Sequence, residues 1–409
     1  MPTSSRSDQD AVLKDFYLPG IRTTLNSQVF LLTQAEQNSE DIEGRDAVMT
    51  INIGRNQGIG SRTELGNLPD AGAQSYVTEK VRLKYHYGRI QLSGQIIRDT
   101  RSDRGSFTRA VQSETTGMVR DLKNDLGRQS YGDGTGLIGV ASGAKTGQTF
   151  PATGMSRQAF AQLGIGMSID LGSTSLLSND IGSGLVITGL ARSTSVITVT
   201  GTIGIVASGT RISRAGNGMF AGNTVQKELT GARSIVAATG TLFNIDPTAN
   251  PDWASFVKTS AGVVTEDMFE EVDQEVNLAS GEQIDLWVTT ALIHRKVSAL
   301  LTGLKRFPGS TELKGGYTGL DMSTMSQGMS GTNTVSMVYD KDMTETGAAY
   351  GFCTKRLTMF SGSDWEFMQE DGAILSRVPN KDAYEATLFA YKELGTDGRA
   401  AHGKIEGAT

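Results

Sequence analysis

Residues 75–100 read SYVTEKVRLKYHYGRIQLSGQIIRDT and alternate in character almost without a break. Val77, Val81, Leu83, Tyr85 and Tyr87 fall on one parity, and Thr78, Lys80, Arg82, Lys84 and His86 on the other. Period two predicts a strand with one covered and one wet face. After Gly88 the apolar parity changes to Ile90 and Leu92, as a bulge at the glycine would produce. Such a strand from Tyr76 to Leu92 would reach ~50 Å at roughly 3.3 Å per residue, against ~17–20 Å for an ordinary one. A strand that long needs a surface to lie on, and few apolar neighbours in sequence supply one.

The chain has 409 residues, enough for two or three domains. Its 50 glycines and 8 prolines suggest many turns and strands rather than a linker. A formal charge of −6 argues against a protein dedicated to coating phosphates. One cysteine, Cys353, excludes an internal disulfide, and with three histidines leaves little for a soft-metal site. The N-terminus lacks the apolar run of a secretory signal, and no apolar run is long enough to span a bilayer. We expect no membrane partner and synthesis in a cytoplasm.

Asp46–Asn56, with Met49, Ile51 and Ile53 in phase, predicts a strand ahead of the long one, separated from it by the polar stretch GIGSRTELGNLPDAGAQ. Strand, polar tip and strand make a hairpin, and an isolated ribbon of two strands is marginal in water. Residues 103–130 switch to helical spacing, with Phe107, Val111, Met118, Leu122 and Leu126 on one stripe. That helix ends at Tyr131-Gly132-Asp133-Gly134-Thr135-Gly136. Residues 131–250 hold only 12 charged residues, with short β-branched runs punctuated by glycine, which predicts a small all-β module, barrel or sandwich. The remainder alternates helices (Glu266–Val276, Leu292–Leu304) with strands (Ile284–Val288, Val335–Tyr339, Ala349–Phe352, Leu357–Phe360). Near the end, Tyr384, Leu388 and Tyr391 have helical spacing, and a strand fits equally well.

Little here reads as chemistry. Gly139–Thr146 nearly spells a phosphate loop, but Ala144 stands where the pattern needs glycine and GQTFPATG is no helix. Glu266, Asp267, Glu270, Glu271, Asp273 and Glu275 read as a solvated helix face. His86, His294 and His402 have no triad or metal spacing. The basic face Thr78/Lys80/Arg82/Lys84/His86 lacks stacking aromatics, since Tyr85 and Tyr87 fall opposite. No catalytic, cofactor-binding or metal residue is assigned, and no cofactor is expected.

An arm, a long hairpin, a long helix closing on YGDGTG and an α/β remainder, in that order, resemble the major capsid proteins of tailed bacteriophages. The stretches LTGARSIVAATGTLFNIDPTANPDW, IDLWVTTALIHRKVSALL and AYEATLFAYKELGTDGRAAHGKIEG share the family's character. The resemblance implies an α+β, Hong Kong 97-like capsid fold. Residues 1–45 would be the N-terminal arm, 46–98 the E-loop β-hairpin and 99–146 the peripheral domain with its spine helix. Residues 147–222 would be an inserted small all-β module, and 223–409 the axial domain with returning peripheral strands. It further implies a shell protein and not an enzyme, assembling as pentamers and hexamers of itself into an icosahedral virion head around double-stranded DNA held without sequence specificity. Separate scaffolding, portal and decoration proteins are the other expected partners.

In such shells each E-loop lies across the neighbouring subunit, which would cover the long ribbon. On that footing the intersubunit residues are Arg55, Arg62, Glu64, Asp70, Lys80, Arg82 and Lys84, and the spine helix packs through Phe107, Val111, Met118, Leu122 and Leu126. The hairpin has no lysine between Asp46 and Glu79, so we expect a shell without covalent cross-links. The lead-in before Phe16 is short and polar, so any scaffold should be a separate protein. Another self-assembling structural protein, such as a tail or surface-layer subunit, is the competing reading.

Overall fold

A computed structural model of the chain describes residues 18–54, 56, 58–64, 66–95, 104–173, 181–201, 203–218, 226–303, 310–313, 317–321, 335–369 and 373–409, with the side chains of 104–112 and 301–321 left aside. Its described strands form four sheets. The first is built on β20 (Ala383–Thr396), which lies antiparallel to β5 (Lys84–Ser93), β18 (Leu357–Phe367) and β19 (Ser376–Arg377). Strand β1 (Glu36–Asn38) joins β18 in parallel. Ala386, Leu388, Ala390, Lys392 and Leu394 are buried at period two, which decides for a strand where the tyrosine spacing also allowed a helix.

Against this sheet pack helices α1 (Leu18–Ser27), α2 (Phe30–Gln34) and α3 (Arg104–Ser130). Helix α3 is 27 residues long, as its periodicity predicts. The arm is thus part of the body: Ile21, Leu25, Phe30 and Leu31 are buried in the main core beside Leu126, Trp365 and Leu388.

The long ribbon is two strands, not one. Strand β4 (Ser75–Arg82) pairs with β3 (Asp46–Gly54), which pairs with β2 (Ile42–Glu43), and these three form the hairpin sheet. At Leu83 the chain leaves that sheet, and β5 enters the first one. Leu83 and Lys84 are both buried, so the parity changes there and not at Gly88. The pairing of β5 with β20 runs through Gly88 without a shift. The glycine has another cause: a Cβ built on it would stand 2.6 Å from Leu122 Cδ1 and 3.0 Å from Met118 Sδ. Helix α3 lies directly on this residue, and any side chain here would push Leu122 and Met118 aside.

Six antiparallel strands form a separate module with its own core: β6 (Leu137–Val140), β7 (Thr149–Pro151), β8 (Ser168–Gly172), β9 (Gly182–Ala191), β10 (Val196–Val199) and β11 (Arg211–Arg214). The sheet curls, and its edges meet where the Ser142 N–H donates to the Pro151 carbonyl at 2.9 Å. The module begins at Leu137, ahead of the expected residue 147. It also contains a short helix, α4 (Arg157–Ala161), capped by Ser156 Oγ accepting from the Ala159 N–H at 3.0 Å. Gly139–Thr146 therefore runs from strand to strand, with no helix N-terminus to receive a phosphate.

The last sheet runs β12 (Phe256–Lys258), β21 (Gly403–Ile405), β17 (Ala349–Phe352), β13 (Leu286–Thr289), β16 (Ser336–Tyr339), β15 (Tyr317–Asp321), β14 (Ser310–Leu313). All four residues of β13 are buried, because both its faces are covered. Leu286 and Val288 belong to the main core, while Trp287 packs with Phe269, Val272 and Val297 of the helices α6 (Asp267–Ser280) and α7 (Ala291–Gly303). Asp273 departs from the expected solvated face of α6. It is 4% exposed, and its Oδ1 accepts the Ile284 N–H at 3.1 Å. One-turn helix α5 (Ala232–Ile235) is tied to the C-terminal segment by Arg399, whose guanidinium donates to the carbonyls of Ser234, Ile235, Thr239 and Gly240 at 2.8–3.1 Å.

Candidate assembly interface

The hairpin is anchored at its root and bare at its end. Ala47, Val81 and Leu83 are buried against Phe360, with Ile42, Met49 and Phe243 alongside. The Lys80 N–H donates to the Phe243 carbonyl at 3.3 Å, and the Leu83 N–H to the Arg45 carbonyl at 3.0 Å. Farther out the covered face thins: Met49, Ile51, Ile53 and Val77 are half-buried. At the tip Ile59 and Leu68 are 81% and 86% exposed. A folded subunit gains nothing from apolar side chains left in water at the end of a ribbon.

The charged hairpin residues divide into three places. Arg62, Glu64 and Asp70 are exposed at the tip, where Arg62 folds onto its own loop through the Asn67 and Ser61 carbonyls, both at 3.0 Å. Lys80 and Arg82 are exposed on the outer face of β4, and Arg82 Nε stands 3.7 Å from Asp46. Lys84 is a correction to the wet face expected of the ribbon: it begins β5, is 8% exposed and lies inside the body. His86 is buried beside it, while Tyr85 and Tyr87, expected on the covered face, are exposed on the outer side of the sheet. Arg55 lies outside the described residues.

Lys84 Nζ stands 3.5 Å from Glu393 of β20. The same carboxylate accepts the N–H of Thr230 at 2.7 Å and of Leu394 at 2.9 Å. Burial pushes the Glu393 carboxyl up to about 7, although Lys84 and the two amides pull it the other way. Burial also pushes His86 down to about 4, so its ring is neutral near pH 7. Arg128, at the end of α3, joins Asp125 (3.1 Å) and Glu228 (2.6 Å), and Arg214 of the six-stranded module reaches Asp125 at 3.4 Å. Helix α3 is thereby joined to the module by charge, through Asp125 and Arg214.

Along that helix Leu126 is buried, and Met118 and Leu122 are partly buried against the main core. Val119, absent from the expected stripe, is deeper than either at 7% exposed. The side chains of Phe107 and Val111 lie outside the described residues. Among the described residues no group of three metal-ligating side chains forms. What the geometry offers is a body with an outreaching arm.

No protein-family model matches the chain, and no curated protein matches it. Solved structures do. The capsid asymmetric unit of cyanophage A-1(L) aligns over 96% of this chain and 93% of its own, at a TM-score of 0.55 and 11% identity. The holo-SrpI encapsulin complex of Synechococcus elongatus aligns over 93% and 87%, at 0.46 and 8% identity. The capsid of Myoviridae phage XM1 aligns over 93% and 91%, at 0.42 and 7% identity. The cyanophage likeness spans both chains nearly end to end, and on that ground this chain has a phage-capsid fold, the one present in the cyanophage A-1(L) capsid.

Proposed function

We propose that the chain is a major capsid protein that self-assembles into an icosahedral phage head around double-stranded DNA. The observation that supports this most is the hairpin: on a capsid fold, an arm anchored at its root ends in exposed Ile59 and Leu68. A neighbouring copy is the surface that would cover them. In this reading residues 46–98 are the E-loop, and Arg62, Glu64, Asp70, Lys80 and Arg82 meet the adjacent subunit. Met118, Leu122 and Leu126 hold the spine helix to the body. The six-stranded module is an insertion into the simpler fold. The role is mechanical and not enzymatic, and pentamers and hexamers are the building blocks. A net charge of −6 suits a wall that does not trap the packaged DNA.

Electron microscopy of the expressed chain, alone and with a co-expressed scaffold, tests this. Closed shells are expected. Tubes or flat sheets would favour a tail or surface-layer subunit, and discrete small oligomers would reject a shell.

A further inference from the structure

Glu79 is out of place by every ordinary rule. It lies on β4 opposite Met49, between Val77 and Val81 on the covered face of the hairpin. It is fully buried, and neither carboxylate oxygen has a hydrogen-bond partner. An ionised carboxylate is not kept in such a place without a cation or donors.

The charged group that faces it from the body is another acid. Asp397, just after β20, has its Oδ1 buried and unpartnered as well. Its Oδ2 accepts from Arg356 at 2.8 Å, and Arg356 is shared with Glu282 at 2.7 Å. That guanidinium is therefore already engaged by two carboxylates. On the hairpin itself Lys80 and Arg82 point to the opposite face, and Asp46 stands by Arg82. The Lys84–Glu393 pair lies past the turn at Leu83, on β5.

We propose that Glu79 is a proton-operated latch: the hairpin lies on its own body while Glu79 carries a proton, and lifts from it when that proton is lost. The part that moves is the hairpin outward of Leu83, where the chain changes sheets. Burial, with the charge of Asp397 added, pushes the Glu79 carboxyl from the ordinary 4.5 up to about 9. A lifted hairpin returns it to water and to its ordinary value. The docked form binds the proton more tightly, so docking is complete below 4.5 and weakens up to tenfold per pH unit as pH rises to about 9. Any use of this motion in shell assembly rests on the proposed function; the proton linkage does not.

Amide exchange of residues 47–53 and 76–82, followed on the unassembled full-length chain from pH 6 to 9 and corrected for intrinsic rates, tests it. The opening constant should rise up to tenfold per pH unit in the wild type and stay level in Glu79→Gln. A level wild-type profile, or the same slope in both, overturns the latch. Should Glu79→Gln not fold, infrared spectra of the wild type with isotope-labelled glutamate decide. A protonated glutamate band of about one full equivalent at pH 8, where Glu393 is mostly ionised, supports the latch, and its absence overturns it. A chain that fails to form particles yet shows the slope would refute the capsid reading alone; particles without the slope would refute the latch alone.

Discussion

Lys84, the first residue of β5, stands 3.5 Å from the buried carboxylate of Glu393 on β20, one residue past the point where the hairpin leaves the body. The pair sits at the root of the arm. Lys84→Ala would leave Glu393 without its cation, a loss that is small where the carboxyl can take a proton and approaches about 3 kcal/mol as pH rises above 7 and it ionises, the usual cost of breaking a buried pair. The loss should shrink at pH 5, where Glu393 takes a proton. Exposed Lys80→Ala should change stability by less than about 0.5 kcal/mol. Chemical denaturation of the unassembled chain measures both.

Two glycines should respond in opposite directions. Gly88→Ala puts a Cβ 2.6 Å from Leu122 Cδ1, and overpacking of this kind costs about 1–3 kcal/mol. Gly117, on α3, has nothing within 4 Å of where a Cβ would stand. Gly117→Ala should stabilise by roughly 0.5–1 kcal/mol through helix propensity. Thermal midpoints of the two variants give the comparison.

Acid should weaken the fold through His402. Its Nδ1 accepts the Cys353 N–H at 3.3 Å and its Nε2 faces Thr396 Oγ1 at 2.9 Å, in a fully buried site. Burial pushes it down to about 3 from 6.5. The folded value lies below the unfolded one, so this contribution is complete above pH 6.5 and is lost as pH falls toward 3. Between pH 6.5 and 5 it amounts to about 2 kcal/mol, at 1.36 kcal/mol per unit. The chain with His402→Asn should lose that much less over the same interval, as denaturant midpoints will show.

Much of this architecture is legible in the residues. The period-two hairpin, the helix of residues 104–130, and the strands and helices of the last sheet all follow from spacing that local geometry imposes. What escaped is tertiary. Lys84 and His86 look like a wet face because their alternation continues that of Lys80 and Arg82, but the strand changes sheets at Leu83 and the sense of burial inverts. Gly88 resembles a bulge, and its true cause, the helix that carries Met118 and Leu122, lies some thirty residues away in sequence. Val119 escapes because the stripe that runs through Met118 passes beside it. Glu79 shares the parity of Val77 and Val81, so period two does place it on the covered face; what no local pattern shows is that it has no partner there.

The central claim is that the hairpin tip is covered by a neighbour, and thiol labelling at Leu68 tests it most directly. Leu68 is 86% exposed in the lone subunit. The native Cys353 is buried, and its thiol is pushed up to about 11 by burial, with Asp285 and Glu282 adding to the shift, so it stays unreactive near pH 7. A Leu68→Cys chain should react rapidly with a maleimide before assembly and at least tenfold more slowly within purified particles. Equal rates before and after assembly would contradict the account.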